Sequence, residues 1–192
     1  MSSTTTPFAV GTPVGTATVE PLDPVAHLPL LHRWVTSPHA VYWQMQGASE
    51  QEVLDAYLAI DADPHHHAWL GRLDGVPTFL VETYDPAHSE LAPHHDSRPG
   101  DVGMHLLVAP PAGPPRSGTT SAVMGAVMRF VLADPACRRV VVEPDARNTA
   151  IAAKNRQAGF VVVGPVPLAG KTGVLSVATR DDFARSELGR TT

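Results

Sequence analysis

The sequence has a single cysteine, Cys137, among 192 residues. No intrachain disulfide can form, and no thiolate metal cage is available. Positive charge is also scarce: 14 Lys and Arg against 19 Asp and Glu leave a formal net charge of −5. Without a Lys/Arg cluster to neutralise phosphates, no nucleic-acid partner is expected, whereas a mildly acidic body suits a cationic small substrate. The chain lacks an apolar run long enough to cross a bilayer, and it lacks the basic and apolar regions of a signal peptide. No membrane partner and a cytoplasmic location are therefore expected. Charged residues make up only 17%, but 43% of the chain is hydrophobic, enough for a packed core. There is no internal repeat. These bounds predict one domain over residues 16–188, behind a loose Ser/Thr/Pro/Gly-rich terminus at 1–15.

Periodicity places the elements. Residues 16–22 alternate as a strand, and Asp23-Pro24 opens a helix to Trp34. A loop at 39–46 holds Tyr42 and Trp43. Ser49 with Glu52 forms a capping box for a helix at 50–60. Strands at 66–72 and 76–84 flank a hairpin turn at Leu73-Asp74-Gly75-Val76. A strand at 102–108, a helix at 117–132, a strand at 139–142 and a helix at 149–158 follow, the last ended by Gly159 as a left-handed cap. Strands at 160–163 and 173–178 and a short helix at 180–188 finish the chain. The expected fold is a mixed α/β sheet with helices on both faces.

The chemistry concentrates in one strand-helix-strand stretch. It begins Gly103-Met104-His105-Leu106-Leu107-Val108 and ends Val142-Glu143-Pro144-Asp145-Ala146-Arg147-Asn148. His105 interrupts the first apolar run and Asp145 sits just past the second. Ligands of open α/β sheets bind at strand carboxyl ends beside helix N-termini, so a base and a carboxylate placed there suggest a catalytic pair. The residues alone leave open a core imidazole and a helix-capping aspartate. Two other clusters, His65-His66-His67 and His94-His95, offer imidazoles that suit Zn, Cu or Ni. Adjacent strand residues face opposite sides, so the triplet cannot ligate one ion, and no metal is expected.

Asn148, Asn155, Gly159 and Phe160 fall in the register of a helix motif in which Tyr stands seven positions after Asn and Gly-Phe begins four positions after Tyr, with Asn155 in the place of the tyrosine. Together with Gly103–Leu107, the Glu-Pro-Asp-x-x-Asn stretch at 143–148, Pro64–His67, Tyr84–His88 and Pro99–Asp101, they resemble the GCN5-related N-acyltransferases (GNAT), in particular the siderophore branch. The resemblance implies a mostly antiparallel sheet with a splayed parallel central pair. It implies acyl-CoA, as acetyl-CoA or succinyl-CoA, as co-substrate. The acceptor implied is an N-hydroxylated diamine of the N-hydroxycadaverine kind, acylated to a hydroxamate for desferrioxamine-type siderophores.

On this reading His105 is the general base, and Asp145 orients the imidazole. A backbone N–H near Leu107 or Val108, freed by a bulge, receives the oxyanion. Ser117, Gly118 and Thr119 bind the pyrophosphate with help from Arg116. Asn148 and Asn155 hold the pantetheine arm or the leaving sulfur. Tyr42 and Trp43 line the acceptor, and Glu82, Asp85 or Glu90 meets its distal ammonium. Arg33, Arg98 or a loop histidine would serve a succinyl carboxylate. The chain departs from the family at the phosphate loop, where only Gly118 in the stretch Pro115–Thr120 fits Gln/Arg-x-x-Gly-x-Gly/Ala. Two alternatives remain, an acyltransferase of an ordinary amine such as an antibiotic or a lysine side chain, and a non-catalytic acyl-CoA sensor. The oligomeric state is not set by the residues.

Overall fold

The computed structural model describes residues 7–111, 113–114 and 116–191. The strands are β1 (Phe8–Thr12), β2 (Gly15–Pro21), β3 (His66–Leu73), β4 (Val76–Tyr84), β5 (Asp101–Val108), β6 (Arg139–Val142), β7 (Val161–Leu168) and β8 (Lys171–Thr179). They form one sheet in the order β1-β2-β3-β4-β5-β6-β8-β7. Neighbours run antiparallel except β5 and β6, which are parallel. That pair shares only Asp101–Arg139, Val102–Val140 and Gly103–Val141. β5 continues five residues past the last pair, so the sheet opens there.

Side-chain alternation divides the sheet into two faces. Phe79, Val81, Met104, Val140 and Val142 pack with α3 (Thr119–Ala133), whose Val123, Met124, Val127 and Met128 are fully buried. The opposite face carries Leu70, Leu80 and Leu107 against α1 (Leu28–Val35) and α2 (Glu50–Ala62). The capping box at Ser49 and Glu52 is formed, with both reciprocal hydrogen bonds. The β3–β4 turn uses Asp74 (φ 47°) and Gly75 (φ 78°), the two positive φ values of a type I′ hairpin. Gly159 (φ 87°) follows α4 (Thr149–Gln157) as the left-handed residue expected there.

Several boundaries move. Of the terminus read as loose, Phe8–Thr12 is a strand paired with β2, while residues 1–6 lie outside the described ones. Turns occupy residues 24–27, and the first helix starts only at Leu28 because Pro29 needs the first-turn position. The Tyr42–Trp43 loop contains a 3-10 turn, Pro38–Trp43. α3 begins at Thr119, after Gly118 with φ 84°. The last two strands form a longer hairpin than the apolar pattern suggested, because Pro165 and Pro167 sit on the outer edge strand, where no ladder donor is required. The terminal helix is two short ones, α5 (Arg180–Arg185) and α6 (Glu187–Arg190).

Gly103 marks the last paired position before the opening, and a Cβ there would collide with the Tyr84 ring. Gly103→Ala is expected to cost about 1–3 kcal/mol through overpacking, measurable by denaturant unfolding. It should also displace the Tyr84 hydroxyl from its partner described below.

Candidate active site

Three titratable side chains meet on the α1/α2 face where the sheet opens. Glu82 on β4 lies directly across from His105 on β5 in the antiparallel register. On the other side, Gly103 pairs with Val141, so continuing the parallel register by two residues sets Glu143 opposite His105. The imidazole spans the gap. Its Nδ1 lies 3.1 Å from Glu82 Oε2 and its Nε2 lies 2.6 Å from Glu143 Oε1. Asp145, two residues further on, does not reach the ring. Its carboxylate accepts from the backbone N–H, Nε and Nη2 of Arg147 and holds the turn into α4. The imidazole-orienting carboxylate is therefore Glu143, because β6 ends before Pro144 and the chain turns away there.

Both carboxylates are buried, Glu143 at 2% and Glu82 at 7% exposure. Burial of this kind requires charge compensation and hydrogen bonds. The Tyr84 hydroxyl donates to Glu143 Oε2 (2.7 Å), and Lys171 Nζ lies 3.4 Å from Glu143 Oε1. Tyr57 on α2 donates to Glu82 Oε1 (2.9 Å) and itself accepts from Trp43 Nε1 (3.1 Å). His66 Nε2 lies 3.5 Å from Glu82 Oε2. Burial raises both carboxyl groups, but His105 outweighs it and each falls to about 2. Burial likewise disfavours the charged imidazole. The Glu143 carboxylate, seconded by Glu82, reverses this and pushes the ring up to about 10. Geometry alone demands the same state: ionised carboxylates only accept, so a ring facing one at each nitrogen carries two N–H groups. His105 thus has no open lone pair and differs from a lone general base. Burial keeps both tyrosines protonated, well above their usual range.

Two cavities meet at this array, and His105 and Glu143 line both. The larger, about 650 Å³, runs between β5 and α4 past Tyr42, Trp43, Thr120 and Asn155. The smaller, about 230 Å³, extends from the array past Tyr84 and His66 to Asp63, His88 and Glu90. No Lys or Arg is among the residues lining it.

The acetyltransferase (GNAT) domain family matches residues 23–168 of this chain. The chain belongs to that family. Lysine N-acyltransferase MbtK of Mycobacterium sp. (strain MCS) is 26% identical over 163 residues, covering 84% of this chain and 66% of the relative. N(6)-hydroxylysine O-acetyltransferase of Escherichia coli is also 26% identical over 163 residues, covering 51% of its own length. N-hydroxyputrescine acetyltransferase of Acinetobacter baumannii is 26% identical over 157 residues, covering 81% of this chain and 74% of the relative. The chain thus spans between half and three quarters of the length of these relatives. Among solved structures, an uncharacterised protein (bh2621) of Bacillus halodurans superposes with a TM-score of 0.86 at 24% identity, over 93% of each chain. AAC(6')-Ib, solved with paromomycin and acetyl-CoA, superposes with a TM-score of 0.77 at 22% identity over 88% of this chain and 96% of its own.

The other GNAT positions divide into those at the cavities and those elsewhere. β4 and β5 pair without a register shift, so no bulge frees a donor. The splay does so instead. Ala109 N–H donates to Thr78 on the β4 side, and the Val108 carbonyl accepts from His39 Nε2 on the other (3.0 Å). By alternation the Val108 N–H, and not that of Leu107, faces the opening. Asn155 is buried, lines the larger cavity and makes no side-chain hydrogen bond among the described residues. Asn148 caps α4 through Ile151 N–H. Ser117 and Gly118 precede α3 and Thr119 opens it, but Arg116 Nη1 donates to the Val14 carbonyl (2.6 Å). Tyr42 and Trp43, read as acceptor-lining, line the larger cavity and not the smaller, with Trp43 edge-on to His105 at 6.2 Å, because the 3-10 turn that carries them packs beside β5 and α4. Glu82, read as an ammonium ligand, is instead spent on His105 and Tyr57. Arg33 and Arg98 are exposed and line neither cavity. His95 pairs with Asp101 at 3.0 Å, beneath the Arg139–Asp101 bridge. His65, Asp85 and His88 bring donor atoms within 4.8 Å of one another. The two imidazoles stack at 3.6 Å with planes 5° apart, however, so their in-plane lone pairs run side by side instead of converging on one ion.

The array makes stability depend on pH on two sides. The carboxylates contribute above their usual 4.5, and this is lost as pH falls toward 2. The imidazolium contributes below its usual 6.5, and this is lost as pH rises toward 10. The Tm difference between wild type and His105→Gln is therefore expected to peak near pH 5–6 and to shrink steadily up to pH 10. A difference that stays constant from pH 6 to 10 would show an uncharged ring.

Proposed function

We propose that this protein transfers an acyl group from acyl-CoA to the nitrogen of an N-hydroxylated diamine, forming a hydroxamate for siderophore assembly of the desferrioxamine type. The observation that carries this reading is the carboxylate–imidazolium–carboxylate array set in the strand opening between two cavities. The larger cavity takes the acyl-CoA, consistent with the GNAT family and with a fold neighbour solved with acetyl-CoA. The smaller takes the acceptor. Relatives named for hydroxylysine and for hydroxyputrescine differ at the far end of the substrate, a carboxylate in one and only an ammonium in the other. A lining with Asp63 and Glu90, and without Lys or Arg, favours the diamine.

An N-hydroxylated nitrogen is less basic than an alkyl amine and arrives uncharged near neutral pH. It attacks the thioester carbonyl, forming the C–N bond, while the Val108 N–H stabilises the oxyanion. Collapse breaks the C–S bond. The nitrogen's proton passes to the Glu82–His105–Glu143 array, and the array returns one to the CoA sulfur, so its proton count is unchanged after each turnover.

The direct experiment offers acetyl-CoA and succinyl-CoA against N-hydroxycadaverine, cadaverine and Nε-hydroxylysine. CoA release is followed and the product weighed by mass spectrometry. Hydroxamate from the hydroxylated diamine is expected, and its mass names the acyl group. Turnover of cadaverine alone would favour an ordinary-amine acyltransferase, and bound acyl-CoA with no turnover a non-catalytic domain. Glu143→Gln should lower kcat at least about 100-fold, whereas Asp145→Asn should cost less than about tenfold, mainly through a looser α4 turn. Equal losses would restore Asp145 to the reacting centre.

A further inference from the structure

From the sequence, the pyrophosphate of acyl-CoA is expected against Ser117, Gly118 and Thr119, which lead into the N-terminus of α3. Here the loop sequence matches the family poorly, and Arg116, the cation it supplies, is turned onto the Val14 carbonyl. At the helix start Gly118 makes no side-chain cap, and Thr119 N–H donates to the Arg116 carbonyl (3.3 Å), but the N–H groups of Thr120 and Ser121 have no partner among the described residues. Backbone donors and the helix dipole favour an anion, but a doubly charged group gains more from a nearby cation.

α4 supplies that cation. Lys154 is half-buried and lines the larger cavity beside Thr120 and Asn155. Its Nζ lies 2.8 Å from Ser121 Oγ, in the first turn of α3, and 3.0 Å from Gln157 Oε1. Both partners are uncharged, and Lys154 has no carboxylate within ion-pair distance among the described residues. Lys171, the other lysine lining this cavity, faces Glu143. We propose that Lys154, reaching across from α4, binds the pyrophosphate of the acyl-CoA in the role that Arg116 has vacated. The proposal rests on the acyl-CoA reading above. It makes the α3–α4 contact a ligand clamp: neutral hydroxyl and amide partners hold the ammonium in place without cancelling its charge.

The test measures binding of CoA, 3′-dephospho-CoA and acetyl-pantetheine to wild type, Lys154→Gln and Lys154→Arg by calorimetry. Lys154→Gln should weaken CoA and dephospho-CoA alike, by about tenfold, and leave acetyl-pantetheine, which lacks the pyrophosphate, unchanged. Lys154→Arg should recover most of the affinity. A loss for CoA but not for dephospho-CoA would assign Lys154 to the 3′-phosphate and overturn the proposal. An equal loss for all three ligands, pantetheine included, would reduce Lys154 to a helix-packing residue. Unchanged binding in Lys154→Gln, with wild type binding CoA normally, would refute the clamp alone. Wild type that binds no CoA would overturn the acyl-CoA reading itself.

Discussion

Two carboxylates buried on one face of a sheet set the terms for everything around them. Ionised groups removed from water cost several kcal/mol each unless charge and hydrogen bonds return it. One imidazole between Glu82 and Glu143 supplies charge to both, but it needs room that a continuous parallel pair would not leave. The short β5–β6 pairing provides that room: the strands stay together for three residue pairs and then part around the ring. The opening proposed to take the thioester and the gap that admits the imidazole are one feature of the fold.

The remaining compensation is drawn from distant parts of the chain. Tyr57 comes from α2, Tyr84 from β4, Lys171 from β8, and Trp43 from the turn after α1. Elements on both halves of the sheet therefore converge on the same two carboxylates. Their hydrogen bonds leave few oxygen lone pairs unused, which fixes the ring position more tightly than apolar packing could. The same saturation alters the chemistry. In the proposed reaction a ring with both nitrogens engaged relays protons within an array, so the basicity that matters belongs to the three groups together.

The strand-helix-strand stretch was legible because His105 breaks an apolar run and the residues after β6 carry carboxylates at short spacing. Choosing between Glu143 and Asp145 required the register. The pairing of Gly103 with Val141 sets Glu143 level with His105, whereas Asp145 would lie level with Leu107 even if the strand continued. Glu82 carried a readable signal: it sits on the same strand face as Leu80 and Tyr84, inside an apolar run, where a solvated ammonium ligand would be out of place. Lys171 and Lys154 carried none. Their partners lie on elements with no local sequence relation to them, so only tertiary packing shows that one neutralises Glu143 and the other faces a helix start. The β1 strand was missed for a related reason: five residues of mixed polarity pair at the sheet edge through the backbone, and composition does not record that.

Charge also orders the smaller cavity, proposed above for the acceptor, from end to end. At the inner end the charges of Glu82 and Glu143 are cancelled by those of His105 and Lys171. At the outer end Asp63 and Glu90 face the cavity, and neither forms an ion pair among the described residues. A diamine bearing one ammonium and one uncharged hydroxylated nitrogen has only one favourable orientation in such a field, ammonium outward and nucleophile against the array. The reverse orientation would set the ammonium beside a neutral array that already holds an imidazolium and leave the outer carboxylates unpaired. In the proposed reaction, chemoselectivity between the two nitrogens of the acceptor thus follows from where the cavity is neutral and where it is not, with no need for a residue that recognises the hydroxyl group itself.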